Sequence, residues 1–263
     1  MAVTQQPITI ISARADGATT LSLALAAVLG ARDRTALLDL NMLNSEVASF
    51  LDLDESSTVY HLAYNAQLGP ITDEELRGHL QWHDGFALLP GIVDPLHREQ
   101  VGQHFVGSLV AAVQRQFTSV VVDAGRADVS LPPVLAAGTV LWVVAPRPVG
   151  MAAFDRAYRV LDSTNSRWVD RVKVVLNRVS AETFAEVPGF IAAEYGLQVL
   201  AEVAECPRFW SRAELDHSLR ALTGPVGDRR RFVLAYGEEA LRVRTDLEAL
   251  VERLTTSLTV TRR

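Results

Sequence analysis

The stretch I-T-I-I-S-A-R-A-D-G-A-T-T, Ile8 to Thr20, decides how the rest of this 263-residue chain is read. Ile8 to Ser12 is a short β-branched run, the pattern of a fully buried strand. A loop through Gly17 follows. Thr19 to Gly30, rich in Leu and Ala and ended by a glycine, predicts a helix. In a strand–loop–helix layout of this kind, backbone N–H groups and the helix N-terminus cradle phosphate. In its complete form a lysine reaches the β- and γ-phosphates, and a Ser or Thr hydroxyl holds Mg²⁺. Here Gly17, Thr19 and Thr20 keep the end of that loop, whereas Ala18 stands at the lysine position and Ser12 at the first glycine. Taken alone, a chance strand-to-helix turn explains the stretch equally well.

Outward from it, β-branched runs alternate with longer helical segments. Strands are expected at Ala36 to Leu40, Phe86 to Leu89, Ser119 to Asp123, Val140 to Val144, Val172 to Leu176 and Val199 to Val203. Helices are expected near Ser45 to Leu51, Ser57 to Gln67, from Thr72, through one long segment Asp94 to Gln116, and at Met151 to Asp162 and Glu182 to Tyr195. Near-continuous apolar strands between helices predict an α/β fold, a mostly parallel twisted sheet covered by helices on both faces. No internal repeat or linker-like tract interrupts the pattern, so one domain over 1–263 is expected.

Composition narrows the function classes. Hydrophobic residues at 49% and charged ones at 21% describe a globular chain. One cysteine, Cys206, leaves no intramolecular disulfide and fits a reducing compartment. The start M-A-V-T-Q-Q-P lacks a signal-peptide pattern, and no apolar stretch nears the ~20 residues of a membrane span. A cytoplasmic chain is expected. The net charge of -6 argues against a whole-chain grip on nucleic acid. Lys173 is the only lysine, so chemistry needing one must find it there. It begins a strand, four residues before Asn177, away from the C-terminal strand ends where open α/β sheets bind ligands.

The ordered set S-A-R-A-D-G-A-T-T, A-L-L-D-L-N, L-L-P-G, V-V-V-D-A, V-V-A-P and V-V-L-N-R-V resembles the MinD/ParA-type deviant-Walker (SIMIBI) P-loop ATPases over nearly the whole chain. The P-G at Gly91 and the Asn177-Arg178 pair resemble most its CpaE/TadZ pilus-assembly branch. The resemblance implies a MinD-like three-layer fold, an ATP/Mg site and a homodimer. Protein partners in a Flp/Tad-type pilus or secretion apparatus are implied too, at a cell pole or the inner face of the membrane. Set against the family's K-G-G-x-G-K-T, the signature lysine is Ala13, the next two glycines are Arg14 and Ala15, and the second lysine is Ala18. The family's D-x-D is Asp39-Leu40-Asn41 here, and Asn41 cannot carry the charge of a water-positioning carboxylate. The carried-over nucleotide set is therefore Arg14, Gly17, Thr19, Thr20, Asp39, Asp123, Asn177, Arg178 and Pro207, with Thr19 and Asp123 on Mg²⁺. Ala13, Ala18 and Asn41 stand where catalytic residues belong, so a degenerate Walker A, weak nucleotide binding and a catalytically impaired pseudo-ATPase scaffold are expected. A divergent but active ATPase in secretion or partitioning, with Arg14 supplying charge, is the alternative. Each surviving residue also has a structural role open to it, such as loop capping by Asp39 and Asp123 or strand-end satisfaction by Asn177.

A C-terminal helical segment is expected at about 229–260. Tyr236, Ala240, Val243, Leu247, Leu250 and Leu254 form a heptad stripe, which favours docking on the chain's own surface over sharing with a second subunit. The preceding Arg229-Arg230-Arg231 run reads as solvated. Of the six histidines none suggests a metal site, and His79 and His83 read as a helix end and a turn.

Overall fold

The computed structural model describes residues 6–260 apart from 44, 68, 128–137, 165–170, 184 and 225–226. In chain order the first half comprises β1 (Ile8–Ser12), α1 (Ala18–Gly30), β2 (Thr35–Asp39), α2 (Val47–Leu51), α3 (Val59–Asn65), α4 (Asp73–His79), β3 (Gln81–His83), β4 (Phe86–Leu89) and α5 (Gln103–Gln116). The second half comprises β5 (Ser119–Arg126), β6 (Thr139–Val144), α6 (Pro148–Thr164), β7 (Val172–Val179), α7 (Val187–Tyr195), β8 (Gln198–Ala204), α8 (Pro207–Leu215), α9 (Arg220–Thr223), α10 (Arg229–Tyr236) and α11 (Glu238–Val260).

The strands form one eight-stranded sheet in the order β3-β4-β2-β5-β1-β6-β7-β8. Its pairs are parallel except for β3 on β4. Strand alternation sorts the side chains onto two faces of the sheet, which carry three core clusters. Ile8, Ile10, Leu37, Leu88, Val121 and Val143 face a layer made of α1 and the C-terminal helices. Leu38, Leu89 and Val122 face the layer containing α5, while Val140, Trp142 and Val174 face α6 and α7. Burial on both faces is why these strands read as unbroken apolar runs. The expected three-layer α/β architecture is present.

Several expectations are corrected. The segment 94–116 is not one helix: Asp94 caps a 3₁₀ turn at Pro95–Gln100, and Gly102, extended at ψ 162°, starts α5. Helix α2 starts only at Val47 rather than Ser45, and ends at Leu51 as expected, where Asp52 adopts a left-handed conformation (φ 52°). Helix α7 begins only at Val187, with a proline in its first turn. His79 closes α4 as read, but His83 lies on β3, an edge strand the sequence reading missed. The missed signal was Asp84-Gly85: β3 and β4 pair through to His83↔Phe86, leaving a two-residue loop with both φ values positive (44° and 92°). Asp-Gly is the preferred dipeptide for such a turn.

Asp84 also ties this hairpin to the far layer. Its Oδ2 accepts from the Ser218 hydroxyl (3.0 Å) and the Leu219 N–H (2.6 Å), and its Oδ1 from Arg220 Nε (3.3 Å). Burial pushes the Asp84 carboxyl up, but His83 and the Leu219 and Ser218 donors outweigh it and hold it down at about 2. A carboxylate lowered in the folded state stabilises above its unfolded value and loses that stabilisation as pH falls through the folded value. Asp84→Asn is therefore expected to cost about 2 kcal/mol at neutral pH. The deficit should shrink below pH ~4 and vanish near pH ~2, measured as urea midpoints across pH. An equal deficit at every pH would exclude the charge as its origin.

The C-terminal segment is two helices. Gly237 (φ 89°) separates α10 from α11, so Tyr236, 43% exposed, lies off the stripe. Ala240, Val243, Leu247 and Leu250 are fully buried and Leu254 is 3% exposed, in one core with α1 and β8. The stripe docks internally, as favoured, and offers no surface for pairing. No helix among the described residues is long and apolar enough to cross a membrane.

Candidate phosphate-loop site

The site gathers where β1 ends between β5 and β6. There β1 feeds α1 in one layer and its neighbour β6 feeds α6 in the other, and the sheet opens a crevice at its C-terminal strand ends. A cleft of about 510 Å³ occupies the position. Of the residues carried over from the sequence, Arg14, Gly17, Thr19, Thr20 and Arg178 line it, along with Ala18 and Asn41. Arg126, Glu46 and Leu43 line it too and were missed; only tertiary packing places them there. Lys173 pairs with Leu141 and Gln198 near the opposite end of β7, so no lysine among the described residues reaches the cleft.

Gly17 caps α1 in a left-handed conformation (φ 95°, ψ 32°) that a residue with a Cβ adopts only under strain. No side chain caps this helix, and its first N–H groups have no intrahelical acceptor. That is the donor arrangement of an anion cradle. The loop before it is closed upon itself. The Arg14 carbonyl accepts from both the Ser12 hydroxyl (2.6 Å) and the Asp16 N–H (2.7 Å). Asn177 Nδ2 donates to the Asp16 carbonyl at 2.8 Å and packs against Gly17. Asn177 thus braces the loop from β7, while Arg178, next along, takes a positive φ of 60° and turns into the cleft.

Asp39 and Asp123 lie behind the cleft floor, both fully buried and directly paired in the register of β2 and β5. Asp39 is well satisfied: it accepts from the Ser45 hydroxyl (2.6 Å) and the Asn41 N–H (3.0 Å). Gly91 packs so closely on this carboxylate that a Cβ there would lie 2.8 Å from its Cγ. Asp39 therefore organises the loop after β2. Asp123 Oδ1 accepts from the Gly125 N–H (3.0 Å), while its Oδ2 is buried without a hydrogen-bond partner. Burial first, and then the Asp123 carboxylate, push the Asp39 carboxyl up; burial likewise raises Asp123, against the Thr19 hydroxyl beside it. An orphaned carboxylate oxygen beside a threonine hydroxyl fits the donor set of a divalent cation. Asn41 folds over Gly125, whose positive φ (64°) and missing Cβ make room for it. Pro207 opens α8 and is not among the described residues lining the cleft. No cluster of His, Cys, Asp and Glu suited to a metal occurs among the described residues.

An eight-stranded, mostly parallel sheet with a glycine loop running into a buried helix at its switch point defines the class: the fold of the MinD/ParA P-loop ATPases. Solved structures give that class its particular members. The chain is similar to a ParA family ATPase from Chlorobium tepidum TLS (13% identity, 90% of this chain and 99% of that one, TM-score 0.73). It is also similar to the septum site-determining protein MinD of Pyrococcus horikoshii OT3, complexed with Mg-ADP (16% identity, 95% and 96%, TM-score 0.67). A third is the MinC:MinD cell division complex of Aquifex aeolicus (17% identity, 95% and 96%, TM-score 0.67). No family model and no curated protein matches the sequence. At these identities the likeness is one of fold.

Proposed function

We propose that this chain is a pseudo-ATPase: a MinD-like scaffold that pairs with a second copy and recruits protein partners, with little or no nucleotide hydrolysis. A Flp/Tad-type pilus or secretion apparatus is the setting suggested by the CpaE/TadZ-like Gly91 and Asn177-Arg178 landmarks. One observation carries the reading: Ala18 lines the cleft in the first turn of α1, where a lysine would have to reach phosphate, and no described lysine lies elsewhere in the cleft. Nucleotide binds weakly in this reading. The Gly17 and Thr19 N–H groups meet phosphate, Thr19 and Asp123 hold Mg²⁺, and Arg178 flanks the base. With Asn177 committed to the loop, its contribution is to hold Gly17 in place. Mg²⁺ would supply charge neutralisation to the phosphates; the chain itself supplies orientation.

Pairing rests on the MinD/ParA resemblance; Leu43, 49% exposed, lines the cleft across which the copies would meet. The expected result is a mass near twice 28.7 kDa in light scattering at tens of micromolar. A monomer with and without ATP would remove the pairing. A second reading, a divergent active ATPase, draws on Arg14, which lines the cleft with its side chain 45% exposed. Steady-state phosphate release, with and without candidate partners, decides between the two.

A further inference from the structure

We propose that Asp16 is a built-in counter-anion, a specificity-determining residue that turns the cleft against polyphosphates. The inference deepens the reading of this cleft as a degenerate nucleotide site and rests on it. Asp16 sits immediately before Gly17, at the tip of the loop that would have to wrap phosphate. A carboxylate there is the same sign as the ligand.

The fold holds it in place rather than letting it swing into water. Asp16 is 3% exposed, its N–H is spent on the Arg14 carbonyl, and its own carbonyl is gripped by Asn177. Its Oδ1 lies 3.8 Å from Arg14 Nε; burial raises its carboxyl above the ordinary value, while the Ala145 N–H, Arg14 and Arg178 act against that rise and favour the carboxylate. Its Oδ2 is buried with no hydrogen-bond partner. The two arginines drawn toward Asp16 both line the cleft. One internal carboxylate therefore offsets positive charge that the cleft would otherwise present to a ligand. The repulsion acts over a few ångströms behind a partly desolvated loop, where charges are weakly screened. Its effect must grow with ligand charge, since Coulomb energy is proportional to it.

That proportionality makes the test specific. Asp16→Asn keeps the shape and an acceptor for Ala145; Asp16→Ser is a smaller alternative should the amide fail to fold, and melting curves identify which variants are folded. Binding of Mg-pyrophosphate and of adenosine monophosphate is measured by titration calorimetry on the full chain at low salt. Relative to wild type, the folded variant is expected to bind pyrophosphate at least tenfold more tightly, with a gain of under threefold for the monophosphate. Raising the salt should reduce the larger gain. An unchanged pyrophosphate affinity, equal gains for both ligands, or no pyrophosphate binding by any folded variant would overturn the inference. Those outcomes leave the pseudo-ATPase reading standing, because that reading fails on a different measurement, robust phosphate release by the wild-type chain.

Discussion

Leu247→Asp and Leu250→Asp are each expected to unfold the protein or lower its melting temperature by well over ten degrees. Both leucines are fully buried in the core that joins α11, α1 and β8. Removing a buried leucine side chain costs ~2–5 kcal/mol, and placing an unpaired carboxylate there adds a further desolvation penalty of several kcal/mol. The sum rivals the ~5–15 kcal/mol that holds a typical domain folded, and each kcal/mol moves the midpoint by roughly 2–4 °C at this size. Glu252→Gln, on the exposed side of the same helix, should stay within about 0.5 kcal/mol of wild type. Circular dichroism melts and size-exclusion profiles make the comparison. If both aspartate variants matched wild type, the stripe would not be packed as described.

Wild-type ATP turnover is expected at background, with or without Mg²⁺. Phosphoryl transfer relies almost wholly on positioning and charge stabilisation. Loss of one strong electrostatic contact costs on the order of 100-fold in rate. In the proposed reading, Ala13 and Ala18 stand where the family resemblance places two lysines, and Asn41 where it places a carboxylate. The contributions need not add for turnover to fall to background. The informative comparison sets wild type beside the triple variant Ala13→Lys, Ala18→Lys and Asn41→Asp. Ordinary turnover by the wild type, abolished by Asp123→Ala, would overturn the pseudo-ATPase reading. A silent triple variant would point to the rest of the loop, where Asp16 is buried and Arg14 lines the cleft.

The fold was legible because local signals and burial agreed. Strands buried on both faces leave unbroken apolar runs such as Val120 to Val122 and Val140 to Val144, and these needed no knowledge of their neighbours. Where the reading failed, the deciding term was short-range backbone geometry passed over, as at Asp84-Gly85, or a break inside a helical pattern, as at Gly102 and Gly237. Of the positions read from the sequence, Arg14, Gly17, Thr19, Thr20 and Arg178 line one cleft, whereas Asp39, Asp123, Asn177 and Pro207 are not among its described lining residues.

By itself, the sequence determined the layered α/β architecture, the absence of a lysine from the phosphate loop and the apolar stripe of the last helix. Each follows from residue identity at a fixed spacing along one element. Only the tertiary structure decided that Asp39 and Asp123 stand side by side, that Asn177 reaches across 161 residues to brace the loop, and that Arg126 and Glu46 join the cleft. It also decided that Asp16, an unremarked loop residue in the sequence, is buried beside Arg14 and within the attraction of Arg178 from β7. Periodicity specifies which face of an element is apolar. Which side chains oppose one another is set by strand order and register, and those emerge only when distant elements pack.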